Sequence, residues 1–459
     1  MAVMSPPSRP PVPPPAPSPS RPAAARSAPG RAGPEQSGTR GSRRDVFVDA
    51  VRALATLCVL TAHWLMADAT WDGEYLEIGN ALAHGAGWVV TWVLQVLALL
   101  FFAAGASAAY GLHRAPDSPR ATVARSGVVG RRSLASELGE GGRLVWQRLP
   151  RLLRPVAVFV GAWAAAIGVL LAVGLPGDAV RTLATLAPQL LWFLAVYLVL
   201  VALTPLLRRA LHAAGWWAVG ALVTAPLVVE ALRFGAGLER LALVDVVLVW
   251  AVPYAIGLLY ADARAGLQVV RRGRVVPVAV LPRPAVLAGA GLAAAALAAL
   301  LVAVGPYPVS LVGMPGDTLS NLGPPTAPVV LHGVALVAMA LAARGPLTRW
   351  ADGRGRAVVR AIAARSMTVY LWHLTAMIVV VAVVLVGLGE RLPVPGSADW
   401  WGSRPVWFGA FALVLLGITR LVGRFEDAPR ATPRRPGQHP GRALLTPSVA
   451  RQRAGSGTE

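Results

Sequence analysis

The first long apolar stretch of the chain, DVFVDAVRALATLCVLTAHWLMAD at residues 45–68, indicates the fold class. It is apolar over about 20 residues, which is the length of helix that crosses a bilayer core of ~30 Å. Comparable stretches recur along the chain, and we predict an all-α, polytopic membrane protein with ten transmembrane helices. The predicted spans are 47–66, 86–112, 155–175, 186–206, 214–232, 241–260, 285–304, 326–343, 366–388 and 404–423.

The composition of the whole chain agrees with a membrane protein. Of the 459 residues, 55% are hydrophobic and only 14% are charged, whereas about a quarter of a soluble globular domain is charged. The mean hydropathy is +0.57. Cys58 is the single cysteine, which excludes an intrachain disulfide, a cysteine-ligated zinc site and a CxxC redox pair.

Arginine supplies all of the positive charge, because the 43 basic residues include no lysine. The net charge of +21 is compatible with a nucleic-acid-binding protein, so the positions of the arginines must decide. With the N-terminus in the cytosol, 38 arginines fall in cytosolic segments or at their edges, and only Arg181, Arg233, Arg240, Arg391 and Arg404 lie on external loops. We interpret this bias as a positive-inside signal that also suits a lipid bilayer with anionic headgroups, and we expect no nucleic-acid partner.

Both ends of the chain differ from its apolar middle. Residues 1–44 are rich in Pro, Ser, Ala and Arg, and residues 425–459 are similarly polar. Such segments have no periodic apolar face with which to offset the entropy of ordering. We predict disordered cytosolic tails at 1–44 and 425–459 and a membrane domain at 45–424.

A polar stripe runs through the first span. Arg52 and His63 are eleven residues apart, which places them on one helix face with a rise of ~16 Å, and Asp49 can pair with Arg52 at i, i+3. A charge at the bilayer centre costs ~2.5–3.5 kcal/mol on insertion scales, so such residues tend to be functional. The alternatives are a snorkelling Arg52 and a His63 that only bonds a neighbouring helix. Their shared face favours a joint function, with both side chains opening onto one cavity.

A second polar face lies in the first half of the ninth span. Ser366, Tyr370 and His373 follow Arg365 at i, i+4 and i+7 spacing, which places the three on one helix face. The alternative is an interfacial aromatic belt with a satisfied histidine. Weaker candidates elsewhere are His332, Asp245, His84 and His113.

The stretch PYPVSLVGMPGDTLSNLGPPTAP, residues 306–328, is unusual for a loop. It has no arginine and a single acid, and its hydroxyl and amide groups lie among glycines and prolines. Irregular backbone at membrane depth is tolerated where it lines a cavity. Two interpretations of this stretch stay open at the level of sequence, a re-entrant segment and an ordinary extracellular loop.

These motifs, taken in order, resemble the acyltransferase 3 family of bacterial membrane acyltransferases. The matching residues are Asp49, Arg52 and His63; Phe101-Phe102-x-x-Gly105; Leu191-Trp192-Phe193-Leu194 with Tyr197 and Pro205; and Ser366-x-x-x-Tyr370-Leu371-Trp372-His373. The resemblance covers residues 45–425. It departs from the family at Ala104, where members often have serine.

The resemblance implies transfer of an acyl group, commonly acetyl from acetyl-CoA, to a hydroxyl of a carbohydrate or of another envelope or secreted product. It also implies a multi-pass protein of a bacterial cytoplasmic membrane, and we expect no metal. Acyl-CoA made in the cytosol would meet the arginine-rich inner face. Arg52, oriented by Asp49, and Arg365 would hold the CoA phosphates, and Ser366 would lie in the same donor site.

On this interpretation His63 is the general base for the acceptor hydroxyl. His373 and Tyr370 would position the donor or donate to the thioester oxyanion. The sequence does not choose between direct transfer of the acyl group and transfer through a covalent acyl-enzyme.

Several further questions stay open at the level of sequence. The acceptor could be peptidoglycan, a polysaccharide, a lipid-linked sugar or a small secondary metabolite, and the acyl chain length is undetermined. A multi-pass transporter or flippase with an intramembrane His/Arg/Asp relay is the alternative function. A non-catalytic scaffold or sensor is a third.

Overall fold

The structure, a computed structural model, describes residues 45–114 and 133–427. The predicted tail at 1–44 and residues 428–459 of the second predicted tail lie outside the described residues. Within the described part, the helices are α1 (Val46–Leu65), α2 (Trp88–Leu94), α3 (Leu97–Arg114), α4 (Leu134–Ala172), α5 (Gly177–Leu186), α6 (Leu191–Ala214), α7 (Trp216–Ala236), α8 (Ala242–Arg264), α9 (Pro284–Val304), α10 (Ala327–Ala342), α11 (Arg344–Asp352), α12 (Arg356–Ala364), α13 (Ser366–Ala382) and α14 (Ala398–Val422).

Shorter elements connect these helices. Single 3₁₀ turns occur at Ala81–Ala83, Ala187–Leu190, Glu239–Leu241 and Gly423–Glu426, and a π-helical turn, Val383–Gly387, extends α13. Two antiparallel hairpins pair β1 (Ala69–Trp71) with β2 (Leu76–Ile78) and β3 (Gln268–Arg271) with β4 (Arg274–Pro277).

The predicted all-α, multi-pass architecture is confirmed. Nine helical segments of the described chain are long and apolar enough to cross a membrane, and there are ten if α10 and α11, which meet at a 64° bend, form one span. Each of the ten predicted spans overlaps one of these segments.

The ordered domain extends past residue 424, into the segment predicted as a tail. Glu426 accepts hydrogen bonds from the backbone N–H of Met367 and of Thr368, both at 3.0 Å, and from the Thr368 hydroxyl at 2.7 Å. These N–H groups belong to the first turn of α13, where no intrahelical acceptor exists. Residues 425–427 therefore fold onto the domain because Glu426 satisfies the start of α13.

Close packing of α3 against α8 forms the centre of the bundle. A Cβ at Gly105 would lie 2.0 Å from the carbonyl oxygen of Tyr254, and a Cβ at Gly257 would lie 2.1 Å from the carbonyl oxygen of Phe102. Only glycine permits this approach of two backbones. The glycine of the Phe-Phe-x-x-Gly motif thus serves helix packing.

The two ends of α1 define two sides of the molecule. At its start, Asp45 caps the helix by accepting from the Phe47 N–H at 3.1 Å, and its second oxygen accepts from the hydroxyls of Tyr110 at 2.6 Å and Tyr260 at 3.0 Å. At its other end, His63 lies in the last turn. We call these the Asp45 side and the His63 side.

Candidate active site

The site is centred on two histidines from opposite ends of the domain sequence. Nδ1 of His63, on α1, lies 3.2 Å from Nε2 of His373, on α13. Nδ1 of His63 also lies 2.9 Å from the carbonyl oxygen of Val59. Nδ1 of His373 lies 2.7 Å from the carbonyl oxygen of Tyr370.

These contacts determine where the protons of two neutral imidazoles lie. A carbonyl oxygen only accepts, so Nδ1 of His373 donates to Tyr370 and its Nε2 is left as an acceptor. Both partners of Nδ1 of His63, the Val59 carbonyl and Nε2 of His373, are then acceptors, so Nδ1 of His63 carries the proton. Nε2 of His63 therefore keeps its lone pair, and the structure gives this atom no hydrogen-bond partner among the described residues.

Packing and hydrogen bonding around His373 hold the two imidazoles in place. His373 is completely buried, and its carbonyl oxygen accepts from the indole N–H of Trp64 at 3.2 Å. Trp64 lies next to His63 in α1, and its ring contacts Phe411 of α14. The packing thus fixes α1, α13 and α14 around the two imidazoles.

A cavity of about 550 Å³ lies on the His63 side and includes His63 in its wall. Most of the wall comes from α13, its π-helical extension and the neighbouring ends of α4 and α5. Representative apolar lining residues are Leu170, Leu183, Leu374, Met377, Ile378 and Val381. The wall also includes Asp68, Asn80 and Gln189, but apolar side chains predominate, and these suit hydrocarbon.

A second cavity, of about 300 Å³, also includes His63. Its wall shares Met66, Asn80 and Gln189 with the first cavity but is less apolar, because it adds further hydroxyl and amide groups among aromatic rings. The polar lining residues other than His63 are Asn80, Thr91, Gln95, Gln189 and Tyr370. Of the two ring nitrogens of His63, Nε2 is the one available to a molecule bound in either cavity.

The 306–328 stretch forms part of this wall, through Val312, Gly313 and Leu322. Asn321, which is completely buried, holds the stretch together by donating to the carbonyls of Pro308 and Ser310, both at 2.7 Å. The segment is irregular and lines a cavity, as one of its two interpretations requires.

The second predicted span is broken beside the smaller cavity. The sequence predicted one run over 86–112, but α2 ends at Leu94 and α3 begins at Leu97. The side-chain oxygen of Gln95 accepts from the Leu97 N–H at 3.1 Å, and Nε2 of His332 lies 2.7 Å from the carbonyl oxygen of Trp92. These side chains satisfy backbone groups that the break leaves without helical partners.

Tyr370 lines the smaller cavity, but its hydroxyl donates to the carbonyl oxygen of Leu190. Its proton is therefore already used within the protein. The predicted role of Tyr370 as an oxyanion donor would require this hydrogen bond to break.

Arg52 lies in a separate cluster. It pairs with Asp49 at 3.2 Å, as the i, i+3 spacing predicted, and its other terminal nitrogen donates to the Ser107 hydroxyl of α3 at 2.5 Å. Neither of the two cavities that include His63 includes Arg52. These two cavities are therefore not the shared cavity expected from the sequence; the rise along α1 separates the two residues by ~16 Å, and Asp49 and Ser107 hold the guanidinium.

Arg365 and Ser366 lie at the start of α13, away from the histidine pair at its centre. Arg365 forms an ion pair with Asp427 at 2.5 Å, and this hydrogen bond raises the pKa of the guanidinium. The structure does not bring Arg365 into contact with Arg52 or His63. Ser366 is the first residue of the helix.

Sequence reasoning missed a buried charged cluster that joins α3, α6 and α8. Asp262, which is fully buried, accepts from Arg208 through two hydrogen bonds of 2.7 and 3.0 Å. Nε2 of His113 and Nε2 of His212 each lie 2.8 Å from the same carboxylate. The Arg-Arg-x-x-His pattern at the end of α6 was the available signal, but its partner on α8 could be found only from the fold.

A family model described as an acyltransferase domain matches residues 45–421, which is most of the chain and includes every residue of the site. The chain matches neither a curated protein nor a solved structure.

Proposed function

The chain belongs to the acyltransferase 3 family of membrane acyltransferases, and from that premise we propose that it moves an acyl group from cytosolic acyl-CoA to an acceptor hydroxyl. The acceptor we propose is a carbohydrate or another envelope or secreted product, and the membrane is a bacterial cytoplasmic membrane. Acetyl is the first donor group to test.

One observation carries this proposal. His63 lies in the wall of two cavities, one less apolar than the other, and its hydrogen bonds leave Nε2 with a free lone pair. An imidazole in this state accepts a proton from a hydroxyl near neutral pH. The smaller, polar cavity suits an acceptor hydroxyl, and the larger, apolar cavity suits the acyl end of the donor or the hydrocarbon part of a substrate.

The chemistry that follows is an acyl transfer without a metal in any step. The acceptor oxygen attacks the thioester carbonyl carbon while its proton passes to Nε2 of His63. The C–S bond then breaks, the ester forms, and the proton passes from Nε2 to the sulfur of CoA. During the first step the Nδ1–H of His63 donates to Nε2 of His373, which stabilises the imidazolium and fixes its orientation, as a carboxylate does in a catalytic triad.

The separation of Arg52 from His63 fits a CoA donor. In acyl-CoA the pantetheine arm separates the reactive thioester from the phosphates, so the group that binds phosphate and the base belong at different depths. Arg52, held by Asp49 and Ser107, presents a planar guanidinium suited to phosphate. We assign the donor phosphates to Arg52, with Arg365 and Ser366 as further contacts.

The test is a transfer assay on the purified full-length protein in detergent or nanodiscs. Acetyl-, butyryl- and octanoyl-CoA carrying a labelled acyl group are each offered with a panel of hydroxyl acceptors, and labelled ester and released CoA thiol are both measured. We expect ester formation by the wild type and a loss of ~10²–10⁴-fold in His63→Ala and His63→Gln.

His84→Ala is the matched control, because the His84 side chain is 58% exposed and contacts neither imidazole. Equal rates for the wild type and His63→Ala would reject His63 as the base. Absence of acyl transfer with every donor and acceptor would favour the transporter alternative.

A further inference from the structure

The wall of the smaller cavity includes a buried side chain whose hydrogen-bond donor has no partner among the described residues. Gln95 is only 6% exposed, and it lines this cavity together with His63. Its side-chain nitrogen, Nε2, has no hydrogen-bond partner among the described residues. A buried amide N–H without a partner costs ~1–3 kcal/mol, so it calls for a functional explanation.

The orientation of this amide is fixed. Its oxygen accepts from the Leu97 N–H at 3.1 Å, at the start of α3. If the amide were flipped, two N–H donors would face each other there. The oxygen therefore belongs at Leu97 and the nitrogen points away from it.

The backbone around Gln95 departs from a regular helix. The break between α2 and α3 falls at Gln95 and Val96. In the broken turn, Nε2 of His332 forms a hydrogen bond with the carbonyl oxygen of Trp92. An unbroken helix would satisfy that carbonyl by itself. The break thus lies at the residue whose side chain reaches the cavity wall.

Building on the proposed function, we propose that Nε2 of Gln95 is a catalytic hydrogen-bond donor that stabilises the oxyanion formed at the acyl carbonyl. When the acceptor oxygen attacks, the carbonyl oxygen gains the electron pair of the C=O π bond, and the Gln95 N–H donates to it. The pair returns when the C–S bond breaks. Tyr370, the other candidate in this wall, has its proton engaged by Leu190, whereas the Gln95 donor has no partner among the described residues and its amide is anchored at the Leu97 N–H.

The alternative is that Gln95 serves only to break the span, through its oxygen. Two substitutions separate the roles. Gln95→Glu keeps an oxygen for the Leu97 N–H and replaces the amide donor with a carboxyl group, which has no donor when ionised, whereas Gln95→Met removes both. The same change at the exposed Gln268 of β3, Gln268→Glu, is the matched control.

The experiment measures kcat and KM for the acceptor, together with the melting temperature in detergent, for the wild type and these three variants. If Gln95 stabilises the oxyanion, Gln95→Glu and Gln95→Met each lower kcat by ~10²–10³-fold and leave the acceptor KM within about threefold. Gln268→Glu behaves as the wild type does. Gln95→Glu is decisive if Gln95→Met also lowers the melting temperature.

The inference is overturned if Gln95→Glu retains wild-type kcat, or if only the acceptor KM rises, since either result limits Gln95 to a structural or ground-state binding role. In both cases the wild type still transfers acyl groups and the proposed function stands. A wild type without acyl transfer rejects the proposed function and this inference together.

Discussion

Nδ1 of His63 lies 3.2 Å from Nε2 of His373, although 310 positions of sequence separate the two residues. The contact joins the first and the ninth predicted spans and brings their polar faces together. It is consistent with the proposed roles, in which Nε2 of His63 offers a lone pair to the cavities and Nε2 of His373 accepts a hydrogen bond from the Nδ1–H of His63. We therefore expect the two histidines to act as one unit in the proposed reaction.

The cluster around Arg52 predicts a defect in donor binding. Arg52→Lys keeps the charge but removes the planar fork that the structure holds between Asp49 and Ser107. We expect KM for acyl-CoA to rise about tenfold to hundredfold with a smaller change in kcat, which is the effect of losing a charge-assisted hydrogen bond. Steady-state kinetics at saturating acceptor measure this. Arg181→Lys is the control, because its side chain is 81% exposed. An unchanged KM in Arg52→Lys would remove Arg52 from the donor site.

The contact between α3 and α8 predicts a stability effect. Gly105→Ala would place its Cβ 2.0 Å from a backbone oxygen, so the helices must separate, and we expect a loss of ~1–3 kcal/mol. Gly111→Ala, on the same helix, meets only the end of the Arg148 side chain, at 3.6 Å, and should be tolerated. Thermal unfolding in detergent compares the two. Equal melting temperatures would show that α3 and α8 do not pack in this way.

The arginine distribution predicts the orientation of the chain. A reporter fused after Gly316 should read external, and one fused after Arg272 should read cytosolic, because the flanking loops differ in arginine content as the positive-inside rule requires. Both positions lie in turns with positive φ, 86° and 50°, where an insertion disturbs no helix. Paired alkaline phosphatase and green fluorescent protein fusions report the side. The opposite result at either position would reverse or break the predicted topology.

The architecture was predictable because span length is set by the bilayer and apolar runs are visible in sequence. The i, i+3 pair of Asp49 and Arg52 was predictable for a similar reason, since it depends only on helix geometry. The β3–β4 hairpin was missed although the sequence held a signal. Val-Val-Arg-Arg-Gly-Arg-Val-Val has apolar pairs around Arg272 and Gly273, whose positive φ values of 50° and 75° are those of a tight hairpin turn.

The remainder of the site depends on contacts between distant segments. The pairing of His63 with His373 depends on how α1 packs against α13, and no spacing rule contains it. The break at Gln95 has no proline or glycine to mark it, and only the excess length of the 86–112 run indicated an irregularity. The engaged hydroxyl of Tyr370 likewise depends on tertiary contacts, whereas the separation of Arg52 from His63 follows from the rise along α1.

The most direct test of the histidine pair is a double-mutant cycle of acyl transfer. kcat/KM is measured for the wild type, His63→Ala, His373→Ala and the double variant, with melting temperatures to confirm folding. Because the two residues act as one unit, each single variant should lose ~10²–10⁴-fold, and the double variant should be no slower than His63→Ala within about threefold. Multiplication of the two single losses in the double variant, or wild-type rates in His63→Ala, would contradict the account.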